Sequence, residues 1–433
     1  MERLPTEIIR EVCGLLCRHC QEPRNQINTF DFTRGEQQGR RALSNLCLTS
    51  SRLREIAQQF LYHRLSIRGN GGTVYMIPLL DTLISRPDLA QAAKQLILVD
   101  PDCEEETANE EVLSQETISD EVLSRLTQAA RQAGLPLPDG WQTGLPLPDD
   151  WIEDLSLQRD YLMQQLLVQL PHIELAAFLS LSCYGWGLLS SVDPVTRSLP
   201  ALRTVMLGRR RGAEAAFNLS KIASLFSLAT DLERLSLYRC CAVSRAITLR
   251  NITHLTLKGC WVSINDMVRL LSACGELDTF IYEGSEKLAN QGVGGISVNE
   301  ITCILEEQGH SRKLRRLCLD YTEIDQRTNF VESLVGFSQL QEFWVGCLYI
   351  SWPEDVSIVL PSSLRVIGYS SEFQQNSLSL GRRIADRVDG GFFPNLKQVT
   401  SNCPDIVLRH EFRALGIVYS GCFNTDHPTE KWV

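Results

Sequence analysis

Two short strings, Leu232-Glu-Arg-Leu-Ser-Leu237 and Ile252-Thr-His-Leu-Thr-Leu257, decide the fold of this chain. In each string the last two apolar residues are separated by one position, which is the spacing of side chains on one face of a β-strand. The first apolar residue stands three positions earlier, where a turn would lead into the strand. Each string therefore predicts one short, buried strand.

The same pattern recurs in both directions along the chain. Further copies, some less complete, begin at Leu202, Leu277, Leu314, Leu340, Leu364 and Leu396, and an earlier one lies at residues 95–98. Neighbouring copies from Leu202 onward are 20 to 37 residues apart, which is wider and less even than the ~20 to 29 residues of regular leucine-rich repeats. Residues 264–273 and 299–308, which fall between copies, have helical spacing.

We interpret this half as an α/β fold of irregular leucine-rich repeats, a solenoid with a curved parallel sheet inside and helices outside. The alternative is an ordinary α/β domain whose buried strands happen to fit a permissive pattern.

In this register, the residues that alternate with the buried ones line the concave face of the sheet. The central row of that face is Met206, Ser236, Thr256, Ile281, Cys318, Trp344 and Gly368. The flanking rows are Arg234, His254, Arg316 and Glu342 on one side, and Tyr238, Lys258, Glu283 and Asp320 on the other. Aromatic and arginine side chains are typical of binding hot spots. We therefore predict that Arg234, Tyr238, Arg316 and Trp344 bind a protein client.

The first sixty-odd residues have helical periodicity instead. One apolar face starts beside Pro5 and consists of Leu4, Ile8, Ile9, Val12, Leu15 and Leu16. Residues 21–39 are polar and contain glycine, which predicts a loop. Two more short amphipathic helices follow, separated near residues 49–51, where hydroxyl groups are available to cap the second helix.

Three pieces of this region resemble the F-box. Residues 4–12, Leu-Pro-Thr-Glu-Ile-Ile-Arg-Glu-Val, are similar to its opening, Leu-Pro-x-Glu-Ile-(Leu/Ile) followed by an amphipathic helix. Residues 42–54 resemble its second signature, a leucine-rich helix, a small residue and a basic turn. Residues 56–63 are similar to the endings that are common in fungal members. The likeness covers about the first 65 residues and implies a three-helix F-box-like module.

In that family the helical module docks on the Skp adaptor of a cullin-RING ubiquitin ligase, and the C-terminal repeats hold the substrate. The resemblance thus implies a substrate receptor whose partners are a Skp-type adaptor, through it a cullin, and a protein client. It places Leu4, Pro5, Ile8, Ile9, Leu43, Leu46 and Leu48 at or under the adaptor interface. Several of these residues also suit the module's own core, and both roles are compatible, because so small a unit cannot bury all its leucines.

Two other functions remain open. The chain could be a leucine-rich-repeat interaction scaffold outside ubiquitination, or an enzyme with an unrecognised motif.

The expected organisation is a helical module (1–65), the start of the repeats (66–99), an acidic and proline-rich insertion (100–155), the main repeats (156–420) and a tail (421–433). Within the insertion we expect a helix around residues 121–133 and, at 134–151, an extended duplication of Gly-Leu-Pro-Leu-Pro-Asp.

Composition argues against several classes of partner and compartment. A net charge of −10 opposes nucleic-acid binding. Residues 173–192 are nearly uncharged but contain serine, cysteine and glycine, so a buried strand and turn is favoured over a membrane helix. The 15 scattered cysteines, with no secretory peptide, predict reduced thiols and a cytoplasmic or nuclear protein.

No common catalytic or phosphate-binding motif occurs in the sequence, so neither enzymatic activity nor a cofactor is expected. Cys13, Cys17 and Cys20 with His19 come nearest to a metal site. Zinc takes a second ligand pair, and none lies close by in the sequence. A helix with incidental thiols is therefore the favoured interpretation, and no metal is expected.

Overall fold

The computed structural model describes residues 4–21, 34–68, 72–99, 119–137, 155–179, 187–194, 197–208, 217–284, 296–321, 333–347, 360–370, 374–402 and 405–421. The chain divides into two compact units. The first comprises Met1–Ala215 and Lys221–Leu232, and the second Ala216–Ser220 and Glu233–Val433. The predicted boundary at residue 65 stays a prediction. Most of the predicted insertion, including most of the duplication, and nearly all of the predicted tail lie outside the described residues.

The first unit begins with four helices: α1 (Thr6–Leu16), α2 (Arg18–Gln21), α3 (Arg34–Thr49) and α4 (Ser51–Tyr62). Their apolar faces enclose a core formed by Ile9, Cys13, Cys17, Leu43, Leu53, Ile56 and Ala57. The Ser50 side chain accepts a hydrogen bond from the Leu53 amide and caps α4, as the break near residues 49–51 predicted. The Arg52 guanidinium donates to the Leu4 carbonyl at 2.8 Å, so the start of the described chain lies beside the turn between α3 and α4.

The loop predicted at residues 21–39 is wrong at its C-terminal end, because α3 already begins at Arg34. Residues 22–33 lie outside the described part of the chain. Gly39 suggested a loop, yet it lies inside α3 where a Cβ atom would collide with the Leu16 carbonyl oxygen at the end of α1. This glycine therefore serves close helix packing and not a turn.

Strands and helices alternate in the rest of the first unit. These elements are β1 (Arg64–Arg68), α5 (Gly72–Ser85), α6 (Pro87–Ala92), β2 (Gln95–Val99), α7 (Asp120–Ala133), α8 (Leu155–Val168), β3 (Leu175–Phe178), β4 (Thr204–Gly208) and α9 (Ala223–Leu228). Strands β1 to β4 pair in sequence order and are all parallel. The predicted copy at residues 95–98 is β2, and the predicted helix at 121–133 is α7.

Strand β3 lies within the uncharged stretch at residues 173–192, and all four of its residues are buried. The prediction of a buried strand there is confirmed. Among the described helices, none combines the length and the hydropathy that crossing a bilayer requires.

The second unit also consists of strands and helices. Its elements are β5 (Phe217–Asn218), β6 (Arg234–Tyr238), β7 (Cys240–Ala242), β8 (His254–Cys260), α10 (Ile264–Ala273), β9 (Thr279–Gly284), α11 (Val298–Glu307), β10 (Arg316–Tyr321), β11 (Glu342–Cys347), β12 (Val366–Ser370), α12 (Gln374–Asp389), β13 (Gln398–Ser401), α13 (Ile406–Ala414) and β14 (Val418–Gly421). Short 3-10 helices lie at Gly187–Ser191, Leu219–Ile222 and His310–Arg312.

Strands β6 and β8 to β14 form a parallel sheet in sequence order, and β5 pairs with β7. Every string that the sequence predicted in this unit forms a strand, and α10 and α11 form where helical spacing was found. The α/β class, with parallel strands and intervening helices that resemble leucine-rich repeats, is confirmed.

One backbone arrangement repeats at the entry to these strands, and we call it the carbonyl bracket. The Thr253 carbonyl accepts the amides of Asp278 and Thr279 at 2.8 and 3.1 Å, and the Asp278 carbonyl accepts those of Arg315 and Arg316 at 2.8 and 3.0 Å. The carbonyls of Arg315, Gln341 and Arg365 repeat the arrangement with the strands that follow. The first apolar residue of each string is buried immediately before the bracket. Strand register is thus fixed locally, at each entry.

Candidate protein-binding surfaces

The helical module leaves several aliphatic side chains exposed although it has a core of its own. Leu48 at the end of α3 is 76% exposed and Leu15 in α1 is 71% exposed, while Leu4 and Ile8 are also exposed. We call these four residues the apolar patch. Ile8 and Leu15 are two helical turns apart and lie on one face of α1, whereas Ile9 and Cys13 lie on another face, which is buried. Exposed aliphatic side chains that adjoin one another are typical of a protein interface.

The structure divides the predicted adaptor-binding residues into two groups. Leu4, Pro5, Ile8 and Leu48 are exposed, whereas Ile9 and Leu43 lie in the core and Leu46 packs against it. The first group is available to a partner. The second group packs the helices together and so positions the first group. The sequence reasoning did not include Leu15 in the set, although its seven-residue step from Ile8 indicated a shared face.

The outward-facing rows of the second unit have the predicted register. Arg234 pairs with His254, His254 with Thr279, Thr279 with Arg316 and Arg316 with Glu342. We call these five residues the charged row. The neighbouring central row is aligned in the same way from Ser236 to Gly368.

The central row is nevertheless buried, which corrects the expectation that Trp344 presents an exposed aromatic surface. Trp344 is 3% exposed and forms an apolar cluster with Ile281 and Cys318. Its ring lies across Gly368 on the next strand, at the place where a Cβ atom would otherwise stand. In this conformation the indole packs inside the protein and offers almost no surface to a client.

The charged row and the turn beside it contain paired charges. Arg316 Nε lies 3.1 Å from Glu342 Oε1, and Asp278 Oδ1 lies 3.6 Å from Arg315 Nε. The other oxygen of Asp278 is 4.0 Å from His254 Nε2. The remaining His254 nitrogen, Nδ1, is 2.8 Å from the Thr253 hydroxyl.

Arg234 differs from Arg315 and Arg316 in its ion pairing. Burial lowers its pKa, an effect that Glu233 opposes and Arg316 reinforces. Arginine nonetheless stays charged at neutral pH. Within the described residues, no carboxylate forms an ion pair with Arg234. A half-buried guanidinium of this kind is suited to receive an acidic group from another molecule.

His254 gives the fold a predicted sensitivity to acid. Burial lowers its pKa to about 4, Arg234 and Arg316 act in the same direction, and Asp278 opposes them. Because the folded pKa lies below the ordinary value of about 6.5, the unfolded chain binds the proton more readily. Stability that is present above about pH 6.5 is therefore lost as the pH falls towards 4.

On acidification, the wild type should therefore lose up to roughly 3 kcal/mol more of its free energy of unfolding than the His254→Gln variant loses. Urea-induced unfolding of the wild type and of the His254→Gln variant, each at pH 7 and pH 4.5, measures the difference. If the two proteins lose the same free energy of unfolding between these pH values, the assignment to His254 is wrong.

Comparison with known proteins adds little to this description. No family model and no curated protein matches the chain. A solved structure with some likeness is an internalin (inlF) from Listeria monocytogenes, which is 13% identical over 89% of this chain and 95% of that chain, with a TM-score of 0.26. A likeness of that size carries no argument about fold or function. The architecture described above rests on the strand pairing of the chain itself.

Proposed function

We propose that this chain is a substrate-receptor subunit of an SCF-type cullin-RING ubiquitin ligase, with no catalytic site of its own. The apolar patch would dock a Skp-type adaptor, and the adaptor would connect the chain to a cullin. The observation that carries the proposal is the exposure of Leu4, Ile8 and Leu48. The F-box resemblance places these residues at or under the adaptor interface, and they remain uncovered although the helices have a buried apolar cluster of their own.

The charged row supports the second half of the proposal, which is client binding. Arg234 keeps its charge in a half-buried setting, and Arg316 is only partly neutralised by Glu342 because both side chains reach solvent. Tyr238 lies on the same strand as Arg234 and is half-buried. A client segment with carboxylate groups would gain charge-assisted hydrogen bonds from the two arginines. Trp344 is no longer part of this proposed contact.

Affinity capture of the full chain, read by mass spectrometry, tests both halves. We expect Leu48→Asp to abolish recovery of the Skp adaptor and the cullin, because a carboxylate would have to be desolvated in an apolar interface. Ile406→Asp is the matched control, since Ile406 is an aliphatic residue of α13 that is 71% exposed. This control should capture the adaptor as the wild type does.

The client arm uses Arg234→Ala combined with Arg316→Ala. This double variant should lose clients and keep the adaptor, since the two surfaces belong to different units. If the wild type captures clients but no adaptor, the chain is a repeat scaffold outside ubiquitination. Equal adaptor recovery with Leu48→Asp and wild type would reject the apolar patch as the docking surface.

A further inference from the structure

Four potential metal ligands that are separated in the sequence converge in the first unit. Cys17 follows the last residue of α1, His19 and Cys20 belong to α2, and His63 directly follows α4. One ligand atom from each, two sulfurs and two imidazole nitrogens, lies within 4.8 Å of each of the others. Within the described part of the chain, this is the one such group of histidine, cysteine and acidic residues. We propose that these four residues form a structural zinc site.

Three of the six distances between ligand atoms agree with a tetrahedral ion, and each of these three joins a sulfur to a nitrogen. The His63 Nδ1 atom lies 3.7 Å from Cys17 Sγ and 3.5 Å from Cys20 Sγ, and His19 Nδ1 lies 3.8 Å from Cys20 Sγ. Zinc bonds sulfur at ~2.3 Å and nitrogen at ~2.0 to 2.1 Å, so a tetrahedral site holds these two atom types about 3.6 Å apart. All three distances fall within about 0.2 Å of that value.

The chemistry of the donors identifies the class of ion and its role. Two thiolates and two imidazoles suit zinc, whereas carboxylates and carbonyls would suit magnesium or calcium. Four protein ligands also fill the coordination sphere and leave no open position for a substrate, so the site is structural and not catalytic. Cys17 is buried and Cys20 is exposed, which gives the ion access from solvent.

The position of the site explains what the ion would hold together. The His63 carbonyl accepts the amides of Lys94 and Gln95, both at 2.9 Å, and so forms the carbonyl bracket between β1 and β2. The ring of the same residue would bind the ion together with the end of α1 and with α2. One residue thus connects the helical module to the first parallel strands through its backbone and its side chain. Loss of the ion would loosen α1 and α2 from the end of α4.

Metal analysis of the full chain, purified without chelators from zinc-supplemented cells, is the test. We expect about one zinc ion per wild-type chain. The Cys20→Ser and His63→Gln variants should each retain at least about tenfold less zinc after dialysis. Cys303→Ser is the matched control, because Cys303 is an exposed thiol on α11 in the other unit. It should retain zinc like the wild type and give the same circular dichroism spectrum.

Replacing the ion with Co²⁺ provides a second readout of the geometry. The wild type should give the intense visible bands of tetrahedral cobalt and a thiolate charge-transfer band, and Cys20→Ser should lose part of both. A wild-type protein that holds no zinc and gives no tetrahedral cobalt spectrum would overturn the proposal. A Cys17–Cys20 disulfide in the purified protein, detected by mass under non-reducing conditions, would also overturn it. These readouts require no partner protein, so the site can fail or succeed independently of the proposed ligase function.

Discussion

Trp344→Ala is expected to lower the free energy of unfolding by about 3 to 5 kcal/mol, the usual cost of truncating a large buried aromatic side chain. The indole is almost completely buried and packs with Ile281 and Cys318. Its removal therefore leaves a cavity beside these two side chains. Urea-induced unfolding followed by circular dichroism measures the change. Tyr75→Ala is the control, because Tyr75 is an exposed aromatic residue of α5 and its loss should change stability by about 0.5 kcal/mol or less.

Gly368 tests the same contact from the other side. Its Cβ atom would collide with the Trp344 ring, so Gly368→Ala alone should cost about 1 to 3 kcal/mol. In the Trp344→Ala background the ring is gone and the added methyl group fits, so the same change should cost much less. A double-mutant cycle gives this coupling directly. Additive effects, or a Trp344→Ala protein as stable as wild type, would mean that the indole is a surface side chain.

Gly39→Ala is the second change with a large expected effect. Alanine normally stabilises a helix interior by ~0.5 to 1 kcal/mol relative to glycine. At Gly39 the new methyl group would collide with the Leu16 carbonyl, which is rigid backbone, so α1 and α3 must separate. We expect a net loss of about 1 to 3 kcal/mol, with faster amide hydrogen exchange in α1 and α3.

Gly14→Ala is the matched control, since it makes the same chemical change in a neighbouring helix. Its Cβ atom would meet only the edge of the Phe60 ring at 3.9 Å, an ordinary van der Waals contact. The control should therefore be neutral or slightly stabilising. The two substitutions thus have opposite predicted signs. Equal effects would show that α1 and α3 do not approach each other through Gly39.

The sequence predicted the strands of the second unit well, because a two-residue period with a fixed preceding residue is a local signal. The first apolar residue and the two that follow it define the entry and one face of each strand without reference to distant parts of the chain. The helices α10 and α11 were predicted for the same reason. Both kinds of periodicity depend only on neighbours in the sequence.

Features that depend on contacts between distant residues were missed. His63 is 43 residues from Cys20 in the sequence, so no local spacing could assign it as a ligand partner. The one signal in the sequence was the position of His63 at the end of the amphipathic helix α4, which packs on α1. Gly39 was assigned to a loop because a glycine required for helix contact looks identical to a glycine required for a turn. The period-two pattern likewise gave the face on which Trp344 lies, but not whether that face is covered.

The carbonyl bracket has a consequence for how such a chain tolerates change in length. Each bracket sets the alignment of the incoming strand afresh, so an error in one connection is not transmitted to later strands. Residues that are added or removed between two brackets change the connection in which they lie and leave the pairing of later strands intact. Evolution is thereby free to lengthen single connections, and a designer could graft a foreign epitope into one of them without rewriting the remainder.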